Sequence, residues 1–126
     1  MGAFRYQAVE TSGGTVSGVE IELEGTQLIA FNGGPALQLT DAFSLFVTCE
    51  TQEEVDRYWK ALLAGGGTPT QCGWLKDRFG VAWQVIPTVL MRYLADKDPE
   101  KSGRVGQAML QMVKIDIAGL ERAYAG

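Results

Sequence analysis

Cys72-Gly73-Trp74-Leu75-Lys76-Asp77-Arg78-Phe79-Gly80-Val81-Ala82-Trp83-Gln84-Val85-Ile86-Pro87 is the stretch that decides the fold. It divides into two strands joined by a tight turn. The first strand covers 70–75 and carries Trp74 and Leu75. Asp77-Arg78-Phe79-Gly80 is the turn, because Gly80 can take the positive φ that such turns need. Val81, Trp83 and Val85 then alternate with Ala82, Gln84 and Ile86, which sets Trp83 and Gln84 on opposite faces. Pro87 ends the ladder, having no N–H to donate. Both indoles suit a core. Gln84 is a lone polar side chain between apolar neighbours, and such a group needs a partner in water, backbone or ligand.

The 126 residues are enough for one modest core, and an apolar fraction of 46% with 21% charged is that of an ordinary soluble globular protein. No run approaches the roughly 20 apolar residues that cross a bilayer. The opening Met1-Gly2-Ala3-Phe4-Arg5-Tyr6-Gln7 lacks the apolar centre of a signal peptide, so a cytoplasmic location is expected and a membrane partner is not. The net charge of −4, with 11 scattered Lys and Arg, argues against nucleic acid as a partner. There is no histidine. That excludes Ser-His-Asp and Cys-His nucleophile systems and zinc sites built on imidazole. Cys49 and Cys72 are too few for a disulfide framework and read as small buried hydrophobes.

Outward from the hairpin, 3–9 reads as a strand with Phe4, Tyr6 and Ala8 on one face. Thr11-Ser12-Gly13-Gly14 is a turn. From 16 to 24, Val19, Ile21 and Leu23 alternate with Glu20, Glu22 and Glu24, the mark of an antiparallel sheet with one buried and one wet face. Glu24-Gly25 turns the chain into a strand at 27–31, which Asn32-Gly33-Gly34-Pro35 breaks. Residues 37–41 connect to an apolar run at 43–49 that suits a central strand. Thr51 opens a helix with a capping box to Glu54. Val55, Tyr58, Trp59, Leu62 and Leu63 form its apolar face. Gly65-Gly66-Gly67 stops that helix. A phosphate-cradling loop would lead into a helix instead. A short helix follows at 88–94. Asp98-Pro99-Glu100 starts another, with Val105, Ala108, Met109, Met112 and Val113 on one face. Asp116 is placed to cap a last helix bearing Ile117, Leu120 and Tyr124.

The run 77–87 resembles the last hairpin of a module in the vicinal-oxygen-chelate superfamily, the glyoxalase and bleomycin-resistance proteins. More narrowly, 72–84 resembles the 3-demethylubiquinone-9 3-methyltransferase-like, or PhnB-like, family. The likeness extends through Asn32-Gly33-Gly34, Ser44-Leu45-Phe46-Val47-Thr48-Cys49-Glu50 and the segment 107–117, and spans 18–124. It implies an α+β fold in which βαβββ modules curl into an open mixed β-barrel around a cleft, followed by C-terminal helices. On that plan 1–87 is a glyoxalase-like domain, with a truncated first module at 3–36 and a second module at 42–87, and 88–126 is a helical extension. Only three residues precede Phe4, so the first module's initial strand and helix are expected to be missing. A homodimer is then expected to fill the gap, since unpaired edges invite aggregation.

In the superfamily's metal enzymes the ligand positions that can be placed fall near Asn32, at Phe43 or Ser44, and at Gln84. Amides, a phenyl ring and a hydroxyl are poor partners for a divalent metal, so no metal is expected. No cofactor is expected either: a methyltransferase on a doubly wound sheet would show a Gly-rich turn after its first strand, and none is present. The resemblance therefore implies a metal-independent small-molecule-binding protein of the bleomycin-resistance type. Its expected ligand-binding set is Gln84, Asn32, Trp74, Trp83 and Cys49, with Gln84 and Asn32 giving direction through hydrogen bonds. The alternative is an enzyme of the glyoxalase-like class with Glu50 or Asp77 as acid or base, and the sequence leaves open whether any reaction is catalysed. Each carboxylate also has a structural explanation, Glu50 beside a helix start and Asp77 in a turn.

Overall fold

The computed structural model describes residues 4–10 and 13–126, apart from the side chains of 4–6, 9 and 10. The expected strand start at Ala3, the turn at Thr11-Ser12 and the shared face of Phe4 and Tyr6 lie outside the described residues. The chain divides into two units, 1–38 and 39–126.

The first unit is an antiparallel meander of β1 (Phe4–Glu10), β2 (Val16–Leu23) and β3 (Thr26–Phe31) in the order β1-β2-β3. Glu24 and Gly25, at φ 47° and 84°, form a two-residue connection that matches the twist of the strands. The expected burial of Val19, Ile21 and Leu23 is only partial. Alternation buries a face only where a second layer covers it, and within this unit the described residues are all sheet and loop. Ile29 and Phe31 stay 67% and 73% exposed.

The second unit runs β4 (Ser44–Cys49), α1 (Gln52–Leu63), β5 (Thr68–Pro69), β6 (Trp74–Lys76), β7 (Ala82–Pro87), α2 (Thr88–Leu94), α3 (Pro99–Leu110) and α4 (Ile117–Ala125). Its sheet has the order β4-β7-β6-β5, with β4 and β7 parallel and the other pairs antiparallel. The protein is thus a mixed α+β chain whose described residues form two sheets and four helices and no closed barrel.

Helix α1 begins where expected: Thr51 Oγ1 accepts from the Glu54 N–H at 3.2 Å. Its Val55, Tyr58, Trp59, Leu62 and Leu63 pack on Val47, Cys49, Leu75, Trp83 and Val85, so one face of the sheet is closed by one helix. A second cluster joins Ile86 to Val89, Leu90, Val105, Ile115 and Leu120 of the helical segment.

Three local expectations are corrected. The strand at 70–75 is interrupted, because the chain bends at Cys72 and Gly73, with φ 57° and 83°. Their N–H groups leave the ladder and donate to the carbonyls of Met112 and Val113 at 2.9 and 2.8 Å. A Cβ at position 73 would stand 2.7 Å from Ile86 Cδ1, so only glycine fits there. Val113 is 47% exposed rather than part of the apolar face. The side chain of Asp116 makes no cap bond. Gln52 of α1 caps instead: its Oε1 accepts from the Ile117 N–H at 2.8 Å, while its Nε2 donates to the Ile115 carbonyl and to Asp56, each at 3.0 Å. Lys114 pairs with Asp56 at 2.8 Å. Together Lys114 and then Gln52 hold the Asp56 carboxyl below its usual range. One amide thus fixes the end of the chain onto α1.

Candidate functional site: the open face of the second sheet

The turn after β6 sets the geometry. Gly80 sits at φ 87° and its N–H donates to the Asp77 carbonyl at 3.0 Å. Asp77 Oδ1 accepts from the N–H groups of Phe79 and Val81 at 2.9 and 3.0 Å. Its Oδ2 accepts from Trp83 Nε1 at 3.0 Å. Both carboxylate oxygens are therefore committed to shaping the turn and holding the indole. Glu50 accepts from Thr88 Oγ1 at 3.0 Å and so ties the end of β4 to the start of α2. Asp77 thus has both oxygens engaged, whereas Glu50 is exposed with one engaged.

The pleat of β7 then separates two sets of side chains. Cys49, Trp83 and Val85 turn to α1 with Leu75. Cys49 is fully buried, and burial, followed by the charge of Glu54, pushes its thiol up to about 11. A thiol in that state is neither nucleophile nor ligand.

Gln84 lies on the opposite face. Its Nε2 donates to Ser44 Oγ at 3.0 Å. It stands in register with Phe46 on β4 and with Trp74 on β6. Directly paired residues on one sheet face have Cβ atoms about 5 Å apart. The face thus carries a row across three strands: ring, amide, ring. Trp74, Ser44 and Gln84 are half-buried and Phe46 is 48% exposed. Beyond Gln84 along the strand, Ile86 enters the helical cluster, which bounds the row at that end. Towards the other end Lys76 pairs with Asp41 at 3.2 Å.

The five residues expected to line one cleft therefore do not share one surface. Gln84 and Trp74 lie together. Trp83 and Cys49 lie on the closed face, because their positions in the pleat are one step out of phase with Gln84 and Thr48. Asn32 belongs to the first unit, where its N–H donates to the Ser17 carbonyl at 2.8 Å and its side chain is exposed. Phe46 was not among the expected residues. In β4 the polar Ser44 and Thr48 share its parity, a signal that could have set it apart from Leu45, Val47 and Cys49; the register with β7 places it beside Gln84.

Of the residues that the resemblance sets against the superfamily's metal ligands, Phe43 or Ser44 and Gln84 among them, the structure brings Ser44 and Gln84 together. Here they are neutral and bonded to each other, a donor set that does not fit a divalent cation. Among the described residues, no group of three or more Cys, Asp or Glu side chains is placed to hold a metal. No described helix is long and apolar enough to cross a membrane. A hollow of about 510 Å³ lies on the first unit's sheet, lined by Gln7, Glu20, Ile21, Glu22, Gln27, Leu28 and Ile29, away from the ring–amide–ring row in sequence and in unit.

Solved structures share this architecture. Protein PA1353 from Pseudomonas aeruginosa is 21% identical, with a TM-score of 0.54 over 66% of this chain and 77% of its own. A PhnB protein from Bacillus cereus is 28% identical, with a TM-score of 0.55 over 66% of this chain and 76% of its own. Among curated proteins none matches. Residues 3–86, more than half of the chain, match the model of the family described as 3-demethylubiquinone-9 3-methyltransferase. The chain belongs to that PhnB-like family, and membership of the vicinal-oxygen-chelate superfamily is consistent with it.

Proposed function

We propose that this chain is a metal-independent small-molecule-binding protein whose binding surface is the open face of the second sheet. The observation that carries this is the Gln84–Ser44 hydrogen bond at 3.0 Å, set between Phe46 and Trp74 on strands directly in register. Apolar and aromatic walls with a few placed polar groups are the usual composition of small-molecule sites. The order β4, α1, β5, β6, β7 supports 42–87 as one βαβββ module, with 3–36 as strands of another and 88–126 as a helical extension. Among the described residues β4 is an edge strand rather than the expected central one, and its six residues carry no charge or proline. Such an edge suits pairing with a second copy, which supports a homodimer that completes an open barrel around the cleft. A cytoplasmic location goes with this proposal. The transferase activity in the family's description gains no support from Asp77, whose oxygens shape the turn, or from Glu50, which ties β4 to α2.

Native mass spectrometry of the wild type and Gln84→Leu tests this. The expected result is a small-molecule adduct on the wild type that Gln84→Leu loses while keeping the same subunit count. An adduct that survives in Gln84→Leu, or a stoichiometric divalent metal, overturns it.

A further inference from the structure

The face that holds Gln84 also limits what can bind there, and the following inference rests on the binding function proposed above. Gln84 has two N–H groups and one carbonyl. One N–H is spent on Ser44 Oγ. No other described residue bonds this amide, and no buried side-chain polar atom among the described residues lacks a partner, so the remaining groups open outward. They are the Oε1 acceptor, the second N–H and, beside them, the Ser44 hydroxyl proton, since Ser44 Oγ is itself the acceptor in the bond. The pair therefore presents one acceptor next to donors.

The row contains no charge. Lys76, further along the face, is already paired with Asp41 at 3.2 Å. Glu50, past the end of β4, is engaged by Thr88. On the row itself an ionised ligand would lose hydration and meet no counter-charge; the charges of Lys76, paired with Asp41, and of Glu50 lie beyond it. A neutral one that offers its own donor beside an acceptor would satisfy Gln84 Oε1 and the facing N–H or O–H together. Phe46 and Trp74 flank that point on both sides and favour a flat apolar body.

We infer that the ligand class is neutral and planar, an aromatic ring carrying a carboxamide or lactam edge that pairs with Gln84 and Ser44 while its ring lies on Phe46 and Trp74. Amide–amide pairing of this kind discriminates well, because a ligand lacking the donor or the acceptor leaves a polar atom of the site unpaired.

The test uses three probes on one phenyl ring: benzamide, benzoate and benzylammonium. Each is titrated into the ¹⁵N-labelled chain, and the Trp74 indole N–H and the Gln84 side-chain NH₂ are followed by NMR. Benzamide is expected to shift both signals and to bind at least tenfold more tightly than either ion. Gln84→Leu should erase that preference while benzamide still shifts the Trp74 indole. Ser44→Ala, which removes only a hydroxyl, is the second variant and should reduce the preference while backbone shifts stay confined to the neighbours of Ser44 and Gln84. If benzoate or benzylammonium matches or exceeds benzamide at these signals, the neutral-ligand inference fails and the binding face stands. If none of the three moves either signal up to its solubility limit, the binding face itself fails, and the inference with it.

Discussion

The two faces of the β4-β7-β6-β5 sheet are built from the same three strands and do opposite things. On one, Cys49, Leu75 and Val85 are fully buried beneath the apolar stripe of α1. On the other, one step along the same strands, Ser44, Phe46, Trp74 and Gln84 remain partly or largely exposed. Stability is concentrated on the first face, and the proposed recognition on the second. A parallel sheet strand such as β4 is ordinarily covered on both sides. β4 is here the edge of a mixed sheet, and its open side is the one the proposed ligand would cover.

The sharpest way to break this contrast is to cut the closed face. Leu75 is 0% exposed, so Leu75→Ala removes buried methyl groups and leaves a cavity between α1 and β7. A loss of about 2–5 kcal/mol is expected from urea unfolding. If it costs less than Trp74→Ala, its neighbour on the open side, the division of labour is reversed. Next in size is Asp77→Ala. Three hydrogen bonds to one carboxylate are lost, and the indole of Trp83 loses its tether. About 2–3 kcal/mol is expected, less than the sum of the separate bonds because the turn relaxes. Asp77→Asn should recover part of it. Full stability in Asp77→Ala would free that carboxylate for the acid–base role argued against above.

Cys49 sharpens the contrast through pH. Its thiol sits at about 11 in the folded chain against an ordinary 9.0, mainly through burial. Between those two values the unfolded chain gives up this proton and the folded chain keeps it. The contribution is therefore complete below pH 9.0 and is lost as pH rises towards about 11. Relative to the wild type, Cys49→Ala should show a flatter stability profile across that window, though from a lower starting point. A thiol reagent at pH 8 should label the partly exposed Cys72 and reach Cys49 only on unfolding. Equal labelling of both in the native state would show that the closed face is not closed.

The closed face was legible in the sequence because its signals are local and periodic. The 3.6-residue spacing of Val55, Tyr58, Trp59, Leu62 and Leu63, the Thr51 cap and the Asp77–Gly80 turn each state their own structure. The Asp98-Pro99 start of α3 was equally plain, and there Asp98 Oδ1 accepts from the Glu100 N–H at 2.9 Å. The open face was legible only through Gln84, whose polarity stood out between apolar neighbours. Trp83 and Cys49 were drawn towards it by residue type although alternation placed Trp83 on the other side. Phe46 shares its parity with the polar Ser44 and Thr48, but its place beside Gln84 is set by register, a long-range property. The bend at Cys72 and the capping of α4 by Gln52 depend on partners some 40 and 65 positions away, respectively, and no local pattern announces them.

The smallest expected effect is Ser44→Ala. The hydroxyl accepts one hydrogen bond from Gln84 at 3.0 Å, on a face that water can reach. When it is removed, the freed Gln84 N–H is not stranded, since water can take the place of Oγ, and the cost is that of exchanging one neutral bond for another. A loss below about 1 kcal/mol is expected, with unchanged unfolding cooperativity. The same substitution on a dry face would cost more, because a buried donor without a partner carries its full desolvation penalty. The size of this small number thus measures how open the face is. A loss of about 2–3 kcal/mol would mean that Gln84 is sealed from solvent, that its amide is an internal brace, and that the ring–amide–ring row is a second core rather than a binding surface.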